Sequence, residues 1–265
     1  TGNGASFNVQ QEAGIKNADL LIAVTDSDEL NLLCCVIAKK GGRCNTIARV
    51  RNSLYSKEIG FIKRQLGISM IINPELTTAM EISKILRFPS AIKIDTFAKG
   101  RAELMKFKLK PEFGLGGMSV QDISEKMKCN ILICGVERED GAYIPNGNFI
   151  LQDNDSVSIM ASPKDTAEFF RKIGVVTHRV KTALIIGGGK VGYYLAVQLL
   201  EMGIRVRIIE KDKTRCEQLC ELLPKATIIC GDGTDQELLM EEGLPYAQSV
   251  ISVTGLDEEN LLLSL

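Results

Sequence analysis

Residues 182–192 read TALIIGGGKVG. Thr182 to Ile186 favours a buried strand and runs straight into Gly187-Gly188-Gly189-Lys190-Val191-Gly192, which satisfies the spacing G-x-G-x-x-G. That spacing is a weak signal in isolation. Between an apolar strand and a helical pattern it acquires a mechanical meaning. Gly187 makes the tight turn, Gly189 lets a pyrophosphate approach backbone N–H groups at the helix start, and Gly192 lets helix and strand pack closely. The following segments are predicted as helix (Val191 to Met202), strand (Arg205 to Glu210), helix (Lys213 to Leu223) and strand (Ala226 to Cys230). This alternation predicts an α/β fold with a parallel, doubly wound sheet.

In such a sheet a ligand lies at the carboxyl ends of the strands, so the residues just beyond each strand are the candidate contacts. Glu210 stands 18 residues after Gly192 and ends the second strand, where an acid accepts hydrogen bonds from an unphosphorylated adenosine ribose. Lys211 and Arg215 follow it, either to meet a phosphate or as solvated surface charge. Gly231-Asp232-Gly233-Thr234 follows the third strand and Thr254-Gly255 the fourth. The alternative role for Asp232 and Thr234 is to cap the next helix, and for Asp257 to cap the last one.

The region after Cys230 occurs twice. Residues 2–33 align without gaps on 231–262, and thirteen of the 32 pairs are identical, among them Gly2/Gly231, Gly14/Gly243, Thr25/Thr254, Asp28/Asp257 and Asn31/Asn260. Such a match marks a duplicated domain. The first copy has no counterpart of residues 181–230 before it, so the chain is expected to enter one domain midway and to leave the second midway. Within the first copy, Thr46 to Val50 and Ser69 to Ile72 are predicted strands and Ser53 to Leu66 a helix. Pro74 opens a helix over Glu75 to Phe88, which Pro89 stops.

Residues 99–178 differ in character. Glu103 to Lys110 alternates like an exposed strand, and Ser119 to Lys128 reads as a helix with a serine start. Asn130 to Val136, Phe149 to Leu151 and Ser156 to Met160 read as strands, and Lys164 to Lys172 as a helix. A small α+β unit is therefore expected between two incomplete Rossmann-like pieces, with boundaries at 1–97, 98–178 and 179–265.

The bulk numbers exclude several classes. Of 265 residues, 45% are hydrophobic and 25% charged, as in ordinary globular protein. No apolar run approaches the roughly 20 residues that cross a bilayer, and the start lacks a signal-peptide pattern, so a cytosolic location is expected. A net charge of −1, from 32 basic and 33 acidic residues, recruits neither nucleic acid nor an anionic membrane. The eight cysteines include no C-x-x-C, and Cys216 and Cys220 are expected to pack as small reduced hydrophobes. Asp153 and Asp155 are the weak candidates for a cation, and no metal site is assigned.

Together, the Gly187 to Gly192 loop, Glu210, Gly231 to Thr234 and Val253 to Asn260 resemble the RCK domain, also called KTN, of potassium channels and transporters. The tandem arrangement is similar to the Trk-type potassium-uptake regulatory subunit, in which each such domain is followed by a small C-terminal one. Residues 99–178 resemble that small domain through Leu115 to Val120, Val136-Glu137-Arg138, Ile144-Pro145 and Leu151 to Asp155. The resemblance implies a fragment of a cytosolic assembly, peripheral to the cytoplasmic face of the membrane. It implies a gating-ring-like homo-oligomer that docks on a membrane-embedded potassium-translocating subunit and binds NAD(H) or ATP/ADP as regulatory ligand. Asn3 and Ala5 stand in the first copy where the second has Asp232 and Thr234.

The rival class is an NAD-dependent oxidoreductase, because the same loop serves both. Such an enzyme needs a proton donor or acceptor beside the nicotinamide. The only histidine, His178, falls in a linker, and no tyrosine–lysine pair at helical spacing follows the fourth strand. No catalytic residue is assigned. The two incomplete pieces are also expected to pack against each other, within one chain or between chains.

Overall fold

The computed structural model describes residues 1–56, 58–87, 91–98, 100–174 and 180–264. The expectations placed on Phe88, Pro89 and His178 lie outside the described residues. The chain divides into two compact units, Thr1–Glu81 with Thr182–Leu265, and Ile82–Lys181.

In chain order the first copy comprises α1 (Phe7–Glu12), β1 (Leu20–Ala23), α2 (Asp28–Gly41), β2 (Asn45–Arg49), α3 (Ser53–Ser56), α4 (Ile59–Leu66), β3 (Met70–Ile72) and α5 (Pro74–Arg87). The middle region holds β4 (Ala91–Phe97), β5 (Ala102–Lys108), α6 (Val120–Met127), β6 (Ile131–Arg138), β7 (Gly141–Tyr143), β8 (Ser156–Ala161) and α7 (Pro163–Lys172). The second copy follows with β9 (Thr182–Ile186), α8 (Lys190–Glu201), β10 (Arg205–Glu210), α9 (Lys213–Leu222), β11 (Thr227–Cys230), α10 (Gln236–Glu241), β12 (Ser249–Ser252) and α11 (Asp257–Leu263).

The first unit carries two parallel sheets, ordered β11-β10-β9-β12 and β1-β2-β3. By the repeat, β1 is the equivalent of β12, so the two sheets supply strands three-two-one-four of one copy and four-five-six of the other. This is the doubly wound order expected from the alternation. The central strand β9 is buried on both faces, which is why its sequence is a continuous apolar run rather than an alternation. The two pieces pack within a single chain into one unit, as expected of incomplete halves.

The first copy departs from its sequence reading between Ser53 and Leu66. Two helices replace one, the second opening on Glu58, whose N–H closes a short turn on the Tyr55 carbonyl (3.0 Å). Both Gly2 to Ser6 and Gly231 to Asp235 turn in the same way. The Ala5 N–H donates to Asn3 Oδ1 at 2.9 Å, as the Thr234 N–H does to Asp232 Oδ1 at 2.9 Å, so the Asn3 and Ala5 departures keep the backbone turn.

The second unit is one antiparallel sheet, ordered β4-β5-β8-β6-β7. Strand β5, expected to be exposed, lies inside that sheet with Glu103, Met105 and Phe107 buried. Its alternation reports a half-buried strand with one face on the core. Strand β4, on the first-domain side of the expected boundary at residue 97, pairs with β5. Phe149 to Leu151 forms no strand. Its backbone instead bonds to Gly117, Met118 and Val120, bracing the start of α6. That helix opens on the Ser119–Asp122 capping box, and α7 opens on Ser162 with Pro163 in its first turn. Phe107, Phe113, Phe169 and Phe170 form the aromatic centre of the core.

One side-chain expectation, the packing of Cys220, is corrected, and the weak cation candidate Asp153/Asp155 is accounted for. Cys216 packs inside, its thiol donating to the Glu210 carbonyl at 3.2 Å, but Cys220 is exposed because the inward face of α9 runs through Cys216 and Leu219. Asp155 is taken up by Arg138, which donates to it from Nε (2.7 Å) and Nη2 (3.0 Å), so the Asp153/Asp155 pair is not a free cation site. Among the described residues no group of His, Cys, Asp and Glu could hold a metal ion.

Candidate functional site

The carboxyl ends of the second copy's strands open into a crevice of about 330 Å3. Its walls include Gly187 and Gly189 beyond β9, Glu210 and Lys211 at the end of β10, Asp232 and Gly233 beyond β11, and Thr254 and Gly255 beyond β12. Four loops thus converge where the doubly wound order places a ligand.

The glycines divide by role. Gly187 sits at φ +107°, and a Cβ there would press on the Val253 carbonyl at 2.6 Å, so the turn requires glycine. A Cβ on Gly192 would collide with the Gly187 carbonyl, which is the close helix–strand contact expected of the third glycine. Gly188 is buried, with Leu219 and the Glu210 side chain where its own side chain would be. Gly189 is different: nothing lies within 4 Å of the position of a Cβ, and it is the N-cap of α8. The open space in front of Gly189 adjoins the first-turn N–H groups of Lys190, Val191 and Gly192, which have no intrahelical acceptor.

Glu210 is tied to the loop it faces. Its Oε2 accepts from the Gly188 N–H at 2.8 Å and its Oε1 from the Asp212 N–H at 2.9 Å. A carboxylate has about four lone-pair sites, so each oxygen keeps capacity for a further donor such as a ribose hydroxyl. Asp232 accepts from both the N–H (2.9 Å) and the hydroxyl (2.7 Å) of Thr234. Those bonds, with Lys211 nearby, hold its carboxyl below the usual range and keep it ionised. Neither Asp232 nor Thr234 caps α10, whose N-cap is Asp235, and Asp257 is the first residue of α11 rather than its cap.

Of the three cations among the candidate residues, Lys211 lines the crevice, whereas Lys190 and Arg215 do not. Lys190 and Arg215 line a second cavity of about 490 Å3, together with Asp26, Asp28, Glu29 and Arg51 of the first copy. Arg215 Nε donates to the Gly188 carbonyl at 2.8 Å, a tie to the glycine loop from the side away from the crevice lining. Gly231 braces Glu210, its N–H donating to the Glu210 carbonyl at 3.0 Å.

Asn260 enters the sequence reading through the repeat and as the end of the Val253 to Asn260 segment, with no contact assigned to it. In the structure its Oδ1 accepts from the Thr254 N–H at 2.7 Å and its Nδ2 donates to the Thr254 carbonyl at 3.2 Å. Asn31 makes the same pair with Thr25 in the first copy, at 2.7 and 3.1 Å. The joint identity of Thr25/Thr254 and Asn31/Asn260 is the signal that could have found it.

The burial of thiols is consistent with structural roles. Burial, with Cys34 and Cys44 beside it, pushes the Cys35 thiol up to about 11. Burial and then Cys230 push Cys216 up to about 12, so neither is a thiolate near neutral pH.

Comparison with known proteins follows the same division of the chain. A family model described as the TrkA-N domain matches residues 1–74 and 183–265, and one described as the TrkA-C domain matches 104–174. Among curated relatives, the Trk system potassium uptake protein trkA homolog 1 of Methanosarcina mazei is 38% identical over 273 residues, spanning 100% of this chain and 66% of its own length. The Trk system potassium uptake protein TrkA homolog of Archaeoglobus fulgidus is 35% identical over 265 residues, with 100% and 60% covered. The chain thus spans three fifths to two thirds of the length of these relatives. A solved structure described as the GsuK channel bound to NAD aligns with 99% of this chain and 46% of its own, at a TM-score of 0.68 and 17% identity, a likeness of fold.

Proposed function

Since the chain belongs to the TrkA family, with TrkA-N sequence on both sides of a TrkA-C domain, we propose that it is a nucleotide-sensing regulatory component of a potassium-uptake system rather than an enzyme. The observation that carries this function is the crevice itself, where an unobstructed Gly189 at the start of α8 faces an acidic residue that ends β10. Phosphates lie at Gly189 and the first-turn N–H groups of α8, and the ribose hydroxyls on Glu210. The adenosine lies along Asp232, Gly233, Thr254 and Gly255. The ligand is NAD(H) or ATP/ADP. The names of the curated relatives support a potassium-uptake system, and the NAD-bound GsuK channel supports a dinucleotide on this fold.

The component acts at the cytoplasmic face of the membrane, as part of a homo-oligomer docked on a potassium-translocating subunit. No helix among the described residues is long and apolar enough to cross a membrane. Calorimetric titration with ATP, ADP, NAD and NADH tests the function. At least one should bind, and Glu210→Ala should weaken it by roughly 1–3 kcal/mol, the usual penalty for hydrogen-bonding groups left unpaired. Glu210→Gln, which keeps one carbonyl acceptor for the Gly188 N–H, separates loss of the ribose contact from loss of the loop. Absence of binding by all four nucleotides, or steady NADH oxidation with a panel of carbonyl compounds, overturns the regulator and, in the second case, favours the oxidoreductase.

A further inference from the structure

Helix α8 carries the glycine loop at its start and Tyr194 one turn further on. Tyr194 is 5% exposed, and its hydroxyl reaches across to the other copy. It donates to the Arg51 carbonyl at 2.9 Å and accepts from Asn73 Nδ2 at 3.0 Å. Both partners belong to the first copy, and each lies just beyond the carboxyl end of a strand, Arg51 after β2 and Asn73 after β3. Asn73 is itself 7% exposed and engaged on both sides, since its Oδ1 accepts from the Leu76 N–H at 2.9 Å at the start of α5. The same tyrosine lines the 490 Å3 cavity, together with Lys190, Arg215, Asp26 and Glu29. Beside that hollow, one hydroxyl ties the ligand helix of one copy to two strand ends of the other.

We propose that Tyr194 is a positioning residue that couples occupancy of the second copy's crevice to the first copy, through Arg51 and the Asn73 cap of α5. The coupling rests on the nucleotide function proposed above. A phosphate held at the α8 N-terminus restrains α8, and a restrained α8 holds Tyr194 against Arg51 and Asn73. Buried hydrogen-bonded side chains transmit such a restraint because breaking them leaves polar groups unpaired. By linkage, anything that orders the Arg51 and Asn73 loops raises nucleotide affinity by the same factor.

Hydrogen exchange of the full chain, with and without the tightest-binding of ATP, ADP, NAD and NADH, tests the coupling. Wild type should gain protection at residues 187–192 and also at 50–53 and 73–77. Tyr194→Phe keeps the ring and removes the hydroxyl. It should retain the ligand-dependent gain at 187–192 and lose the gain at 50–53 and 73–77, and Asn73→Ala should reproduce the loss at 73–77. Protection confined to 187–192 in wild type overturns the coupling while leaving the nucleotide function standing. A gain at 50–53 and 73–77 that survives in Tyr194→Phe also overturns it, and absence of any gain at 187–192 with a nucleotide that binds in calorimetry overturns the phosphate position at the start of α8 and the coupling with it.

Discussion

At the residue scale, the glycines of one loop divide into one facing open space and one packed against backbone. A side chain at Gly189 meets no protein atom within 4 Å, whereas one at Gly192 collides with the Gly187 carbonyl. Gly189→Val should therefore fold with near-native stability in chemical denaturation and fail to bind nucleotide in titration. Gly192→Ala should lose roughly 1–3 kcal/mol of stability, the range for overpacking a filled interior. Equal destabilisation by both changes would mean that the space before Gly189 is not reserved for a ligand. Glu210 shows why the crevice was only partly legible. Its place at the end of an alternating strand could be read from the sequence, but the use of both carboxylate oxygens by the backbone of Gly188 and Asp212 could not.

At the element scale, strand ends are held by side chains from the helices that follow them. Asn31 is fully buried, bonded to Thr25 on both backbone sides and also donating from Nδ2 to the Arg49 carbonyl at 3.0 Å. Asn31→Ala strands those groups and should cost about 1–3 kcal/mol in denaturant unfolding, more than Asn260→Ala, whose partially buried amide lacks the second strand's carbonyl. In the antiparallel sheet, Arg138 at the end of β6 neutralises Asp155, which is 2% exposed, and reaches the Ile150 carbonyl at 2.8 Å. Removing the partly exposed arginine leaves the buried carboxylate with the Gln152 N–H (2.8 Å) but without its cation. Arg138→Ala should cost about 1–3 kcal/mol, measured in the same way, and loosen residues 150–155 in hydrogen exchange.

At the scale of the whole molecule, the first copy's sheet presents apolar residues to solvent. Leu20, Ile22 and Val24 in and beside β1 are each about half exposed, and β1 pairs only with β2 among the described residues. Open strand edges with apolar flanks recruit neighbours. Static light scattering should accordingly show concentration-dependent association, reduced by Ile22→Lys; a monomer at every concentration would contradict it. The alternation of elements, the glycine loop and the repeat were determined by sequence alone, because each depends on residues within one strand, turn or helix. Even there, the single helix expected over Ser53 to Leu66 is two, Ser53–Ser56 and Ile59–Leu66. Only the tertiary structure could turn Lys190 and Arg215 towards a second cavity, or close Tyr194 on Asn73 and Arg51, 121 and 143 residues distant. Local patterns record how a segment satisfies its own backbone, whereas the partner of a buried side chain is chosen by how the segments pack.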